Sequence, residues 1–253
     1  MHNIQDIVED LILWLQKNVN GAKARGLVFG LSGGIDSAVM AGISKMAFPE
    51  TSLGLIMPCH SDSLDEEHGL IVADALDLEV KKIDLTNTFD CLVDASNLDI
   101  ENHMAMANIK PRLRMTTLYY FAQSYNYLVA GSSNKSEFTT GYFTKHGDSG
   151  VDILPLANFI KEEIWELARV LNIPEIIIEK KPSAGLWEGQ SDEDEMGFSY
   201  DILDNYIKSG KGPEPIVEKI RSMNEKSLHK RQFPPIYRYD ASKFYIDLES
   251  KKE

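Results

Sequence analysis

Ser32, Gly33, Gly34, Asp36 and Ser37 are the residues whose types and spacing most readily support chemistry. Glycines without a Cβ let a phosphate approach the backbone closely, and the two serines add hydroxyl donors. Asp36 is the odd member, because a carboxylate repels phosphate unless a cation lies between them. Mg²⁺ bridging a carboxylate and phosphates would meet that need. Read alone, Asp36 is equally a first-turn acid that supports a helix dipole. The elements that must position these groups are legible on either side. Residues 27–31 form a short apolar run suited to a buried strand. After the turn, Val39, Met40, Ile43 and Ala47 recur at helical spacing. Strand, glycine turn and helix together leave backbone N–H groups at a helix N-terminus, where an anion is favoured.

Composition narrows the class. With 253 residues, 43% of them apolar and 26% charged, the chain is long enough for one large globular domain, expected over 1–253. No apolar run approaches the roughly 20 residues of a membrane span. The polar, acid-bearing N-terminus does not read as a secretory signal. A net charge of −13 argues against nucleic acid as a partner. Cys59 and Cys91 have no CxxC spacing, so a disulfide framework is not expected and a reducing cytoplasm is the natural compartment.

In chain order, Ile4, Ile7, Val8, Leu11, Leu15 and Val19 predict a first amphipathic helix closed at Asn20-Gly21. It could cover a sheet face or meet a second subunit. Strands are predicted at 52–58, 79–85 and 127–131, with helices between them. His60 follows the second strand, where ligands commonly sit in doubly wound folds, but reads as well as an ordinary loop histidine. Ser63 is the expected cap of the next helix. A long helical pattern over 100–125 is interrupted by Pro111, which predicts a kink or a restart there. Further helices are expected at 162–172, from Asp201 and at 214–228, before a Lys-rich tail expected to fray. Alternating strands and helices predict a parallel sheet covered on both faces.

Ser32-Gly-Gly-Ile-Asp-Ser37 resembles the SGGxDS loop of the PP-loop ATP pyrophosphatases, which split ATP between the α- and β-phosphates. It lacks the Lys-Ser/Thr of a Walker A motif and the glycine spacing of a dinucleotide fingerprint. Further blocks are Asn108-Ile-Lys-Pro-Arg-Leu-Arg-Met115, Gly131-Ser-Ser-Asn-Lys-Ser-Glu137, and Thr140-Gly-Tyr-Phe-Thr-Lys-His-Gly-Asp-Ser-Gly-Val-Asp-Ile-Leu-Pro-Leu156. Pro182-Ser-Ala-Gly-Leu-Trp-Glu-Gly-Gln-Ser-Asp-Glu-Asp-Glu195 and His229-Lys-Arg231 complete the set. In order and across nearly the whole chain, these resemble the NAD⁺ synthetases.

That resemblance implies an α/β fold with a doubly wound, mainly parallel five-stranded sheet, helices on both faces, adenine nucleotide alpha-hydrolase-like. It implies ATP-dependent amidation of deamido-NAD⁺ with ammonia, through an acyl-adenylate, releasing AMP and pyrophosphate. Gly30-Leu31-Ser32-Gly33-Gly34-Ile35-Asp36-Ser37 becomes the ATP phosphate loop. Asp36 and Glu137 become Mg²⁺ ligands. Ser132 and Ser183 fall on ATP contacts, where many members carry Thr. Lys161 faces the ATP phosphates. Arg112, Lys145, Asp152, His229 and Lys230 fall on deamido-NAD⁺ contacts, and Asp192 and Glu195 in a segment closing over the same substrate. Asp148 matches a carboxylate near the ammonia pocket. The resemblance also implies a homodimer with the dinucleotide along its interface. Pro111 departs from the Ala common before this arginine, which predicts a locally different helix start.

Each residue also has a plainer reading. Arg112 and Arg114 could be a solvated helix face, and Lys161 could pair with Glu162 or Glu163. The 192–195 acids could be a helix first turn, and Asp148 and Asp152 turn formers beside Gly147 and Gly150. Other PP-loop enzymes are alternatives: a tRNA thiolase or lysidine-type ligase, or the synthetase half of GMP synthetase. Net charge and isolated cysteines argue against the tRNA enzymes. A non-catalytic nucleotide sensor would not need Asp36, Glu137 and Lys161 together. Free ammonia is the expected nitrogen source. A glutaminase needs a Cys nucleophile, usually on its own domain, and about 25 residues precede the first strand.

Overall fold

The computed structural model describes residues 3–98, 102–183, 185, 187 and 189–237. The elements begin α1 (Ile4–Gly21), β1 (Gly26–Gly30), α2 (Ile35–Ala47), β2 (Ser52–Ile56), α3 (Ser63–Ala75), β3 (Glu79–Lys82) and α4 (Thr86–Ser96). They continue α5 (His103–Ala107), α6 (Ile109–Tyr125), β4 (Tyr127–Val129), α7 (Lys135–Thr140), α8 (Lys161–Val170) and α9 (Glu175–Ile178). The last are α10 (Asp192–Met196), α11 (Tyr200–Ser209), α12 (Glu214–Lys226) and α13 (Leu228–Arg231).

The strands pair in the order β3-β2-β1-β4, all parallel. The chain moves outward from β1 to β3, then returns to the other side of β1 at β4. In such sheets the reversal point opens a crevice beyond the strand C-termini. The loops after β1 and β4 meet there, although about a hundred residues separate them in sequence. Alternation along β1 divides the core. Leu27 and Phe29 join Leu15, Val19, Ile43 and Leu167 on one face, while Val28 joins Leu55, Leu118 and Val129 on the other. A satellite cluster of Met196, Phe198, Tyr200, Leu203 and Ile220 supports α10–α12.

The five-stranded sheet implied by the resemblance is corrected to four strands among the described residues. In the fifth position stands a single parallel bridge, Ala130 to Ile153. The side chain of Asp152 takes the Val129 N–H at 2.8 Å, a donor on the outer edge of β4 that a continuing ladder would use. Pro155, two residues past the bridge, has no N–H to offer. Pro111 falls in the first turn of α6, so the helix restarts there as expected after α5 ends. The cap of α3 is Asp62, not Ser63: its carboxylate accepts from Leu64 N–H at 2.9 Å. Among the described residues no helix is long and apolar enough to cross a membrane. The Lys-rich tail expected to fray lies largely beyond residue 237, outside the described residues.

Candidate active site

A cavity of about 530 Å³ opens at the reversal point, walled by the glycine turn, the loop after β4, and described residues of the stretch from Lys180 to Glu195. That is an ordinary size for a small-molecule site. The two glycines of the turn have different jobs. Gly33 has φ +73°, and a Cβ there would lie 2.3 Å from the Asp65 carbonyl oxygen and 2.8 Å from His68 Cβ. Gly33 therefore lets α3 pack against the turn, and it is absent from the cavity wall. Gly34 is on the wall, where a Cβ would meet only Ser32 Oγ at 3.4 Å. The expected hydroxyl donors are spent on the turn itself. Ser37 Oγ donates to the Gly34 carbonyl at 2.8 Å and accepts from Ser32 N–H at 3.2 Å.

Beyond the turn, four side chains interlock. Lys161 is fully buried, and its Nζ donates to Asp36 Oδ2 at 2.5 Å. Asn134 Nδ2 donates to Asp36 Oδ1 at 2.8 Å and to Glu137 Oε1 at 3.0 Å. Asn134 is also the cap of α7: its Oδ1 accepts from Glu137 N–H, and Glu137 Oε2 accepts from Asn134 N–H. One residue thus starts a helix and holds two like charges at a set separation. Burial, and then the Asp36 carboxylate, raise the Glu137 pKa well above the usual carboxylate range. Burial would lower the Lys161 pKa, but Asp36 and Glu137 outweigh it and leave that pKa raised.

Lys161 stands at the first position of α8, where the helix dipole disfavours a cation. Asp204 offsets this from α11. Its Oδ2 accepts from Glu162 N–H at 2.8 Å, and its Oδ1 from Ser136 Oγ at 2.5 Å. Ser136 Oγ in turn accepts from Lys161 N–H at 3.1 Å. The ring of Tyr200 lies 4.9 Å from Lys161 Nζ, a cation–π contact. Neither Glu162 nor Glu163 is Lys161's partner: they engage Lys208 and Ile160 N–H.

The cavity wall also carries Ser132, Ser183, Asp148, Asp192, Glu195 and Lys230. Asp192 is buried; its Oδ2 accepts from Tyr200 O–H at 3.0 Å, and its Oδ1 has no hydrogen-bond partner. Burial raises its pKa, and the nearby Lys161 opposes that rise. Glu195 accepts from Tyr142 O–H. Asp148 is solvent-reachable yet walled closely by protein. That crowding raises its pKa, although its Oδ1 accepts from Thr144 N–H at 2.9 Å. Lys230 Nζ donates to the carbonyls of Gly141 and Phe143 at 2.8 and 2.7 Å.

Arg112, Lys145, Asp152 and His229 are not on this wall. Arg112 donates to the Lys145 carbonyl, and Lys145 Nζ to the His229 carbonyl, forming a chain beside the cavity. Asp152 is occupied with Val129 N–H and Tyr119 O–H. Sequence reasoning missed Asn134, whose Asn-x-x-Glu spacing to Glu137 is a capping-box signature. It also missed Lys180 and Tyr142, which no spacing marks. Arg114, weighed as a solvated helix face, instead donates to the Met57 carbonyl and Ser61 Oγ, each at 3.1 Å, on the cavity wall. Among the described residues no three His, Cys, Asp or Glu side chains form a metal-holding group by themselves.

Residues 7–234 match the family model described as NAD synthase. The chain belongs to the NAD synthase family. It is 49% identical over 92% of its length to the NH(3)-dependent NAD(+) synthetase of Carboxydothermus hydrogenoformans, covering 98% of that protein. A solved structure of NMN synthetase from Francisella tularensis superposes with TM-score 0.91 at 34% identity, over 94% of this chain and all of the other. The NH3-dependent NAD synthetase from Campylobacter jejuni, in complex with nitrate, gives TM-score 0.78 at 30% identity over 94% of this chain.

Proposed function

We propose that this chain is an ammonia-dependent ligase that converts deamido-NAD⁺ to NAD⁺ at the expense of ATP, as one catalytic domain over 1–253. The observation that carries the reading is the Lys161–Asp36–Asn134–Glu137 cluster in the same cavity as Gly34, a lysine and two carboxyl groups beside a turn open to a ligand. In the first half-reaction the nicotinate carboxylate oxygen bonds to the α-phosphorus, and the bond to the bridging oxygen breaks. Its electron pair leaves with pyrophosphate. Anion attacks anion, so Lys161 neutralises charge while Gly34, Ser132 and Ser183 hold the nucleotide. In the second half-reaction ammonia bonds to the acyl carbon and AMP departs. Asp148, whose raised pKa makes it a better proton acceptor, takes the proton lost by the nitrogen. Asp192 and Glu195 close the cavity, and Lys230 with Arg112, Lys145, Asp152 and His229 forms the dinucleotide end.

The donor set fits Mg²⁺. Asp36 and Glu137 are two carboxylates held side by side at an energetic cost, and Mg²⁺ is commonly bound by one or two carboxylates plus substrate phosphates. When bound, the ion supplies charge neutralisation at the phosphates. The free thiols of Cys59 and Cys91 fit a reducing cytoplasm. A homodimer is proposed from the exposed Trp14, Tyr120 and Tyr125, aromatic side chains of the kind enriched in interface cores. Sedimentation at assay concentration tests it, and a fully active monomer overturns it.

ATP–pyrophosphate exchange tests the activity. It is expected with deamido-NAD⁺ and absent without it, and ammonium should then release NAD⁺ and AMP. Exchange independent of any nicotinate substrate, or supported by a nucleobase or tRNA, overturns the reading in favour of another PP-loop enzyme. The 0.91 TM-score to an NMN synthetase warrants nicotinate mononucleotide as a parallel arm. Faster amidation of it than of the dinucleotide moves the substrate assignment but keeps the chemistry.

A further inference from the structure

Lys161 is one of two lysines at the glycine turn. Lys180, which also lines the cavity, meets the turn at Gly33, whereas Lys161 meets it at Asp36. Its Nζ is 3.3 Å from the Gly33 carbonyl and 2.8 Å from Asp65 Oδ1. Asp65 is the point where three parts of the chain converge. Its carbonyl packs against Gly33, its carboxylate takes Lys180, and a Cβ on Gly185 would stand 3.1 Å from its Oδ2.

We propose that Lys180 is a second phosphate-binding lysine, parked on Asp65 when the cavity is free and transferred to the β- and γ-phosphates of ATP, and so to departing pyrophosphate, when it is filled. This rests on the ligase reading above. Both partners of the pair are about a quarter exposed, 23% for Lys180 and 28% for Asp65, so the pair is solvated and readily exchanged. A pyrophosphate group carries several negative charges against the single charge of Asp65, and the Coulomb term scales with charge. Lys180 and Asp65 both line the cavity, only Lys181 and Pro182 separate Lys180 from Ser183 on the same wall, and more carboxylates than cations line it overall. That excess leaves a polyphosphate in need of every cation nearby. Lys161 is buried against Asp36, whereas among the described residues Lys180 is held by a partly exposed carboxylate and a carbonyl, which leaves it freer to swing.

Calorimetric titration of magnesium pyrophosphate into the full-length protein tests this, alongside product inhibition of the exchange reaction. Lys180→Gln should weaken pyrophosphate binding about tenfold, as for loss of one charge-assisted contact. Lys180→Arg should restore most of it. Asp65→Asn should tighten binding, because it removes the competitor. A purely structural ion pair predicts the opposite: both Lys180→Gln and Asp65→Asn break it, so both would weaken binding equally and lower the melting temperature together. Equal effects, or no effect of Lys180→Gln while the wild type binds pyrophosphate, overturn the assignment and leave the ligase reading intact. A wild-type protein with neither exchange nor NAD⁺ formation refutes the ligase reading first, and the lysine assignment with it.

Discussion

Lys161 Nζ donates to Asp36 Oδ2 across 125 positions of sequence, and this contact ties the start of α8 to the start of α2 inside the cavity. Each partner answers a problem set by the other. Asp36 keeps the buried lysine charged, and Lys161 offsets the proximity of Asp36 to Glu137. Lys161→Ala is expected to cut adenylation by on the order of 10²–10³, as for loss of one preorganised charge stabiliser. Single-turnover pyrophosphate release, normalised to folded protein by circular dichroism, measures it. Normal release would remove Lys161 from the first half-reaction.

Glu137 carries a folded-state pKa above its unfolded value, so the native chain binds this proton more tightly than the unfolded one. The sign follows from linkage. Stability falls as pH rises from the unfolded carboxylate pKa, about 4.3, until the higher native pKa has been passed. Glu137→Gln should therefore raise the metal-free melting temperature at pH 7, by roughly 2–4 °C per kcal/mol recovered. The same substitution should abolish turnover and flatten the Mg²⁺ dependence of the melting temperature. A lowered melting temperature would mean that its helix-capping contacts outweigh its charge.

The glycine turn separates stability from ligand approach. Gly33→Ala forces a Cβ into the Asp65 carbonyl at a positive φ, and should cost more than about 1 kcal/mol of stability. Gly34→Ala meets nothing closer than 3.4 Å and should leave the melting temperature nearly unchanged while raising the KM for ATP. Thermal melts paired with ATP saturation curves distinguish the two. Equal melting temperatures for both variants would contradict the packing argument.

Neither described cysteine suits a glutamine-cleaving nucleophile. Cys59 is fully buried, and that burial pushes its thiol pKa up, away from the thiolate. Cys91 lies exposed on α4, and neither it nor its helix borders the cavity. The Cys59→Ser, Cys91→Ser double variant is expected to keep ammonium-dependent turnover, and the wild type to show none on purified glutamine. Comparable rates on glutamine would require a nucleophile elsewhere in the chain.

Much of the site was legible because glycine, acid and lysine stand in contiguous strings. Asp36, Glu137, Lys161, Ser132 and Ser183 all reach one cluster or one cavity wall. What was not legible depends on contacts between distant segments. Nothing local shows that Gly33 makes room for α3, that Asp204 caps α8 from another helix, or that Asp192 turns toward Lys161. Arg114 read as solvated from its helix, yet its guanidinium reaches across to the end of β2. The fold shows the same division. Strands β1, β2 and β4 follow from apolar runs and the edge strand β3, Glu79–Lys82, does not, while the expected fifth fails because Asp152 uses its side chain where a ladder would use backbone.

The reversal of strand order has a consequence for synthesis on the ribosome. Parallel pairs need long crossovers, and contacts distant in sequence form late in folding. The glycine turn emerges early, but Asn134 and Lys161 follow Asp36 by 98 and 125 residues. At cellular elongation rates that interval is roughly 6–25 s. During it a nascent chain holds the glycine turn without Lys161 beside Asp36. Asp36 therefore gains its Asn134 and Lys161 partners only after the start of α8 has been made.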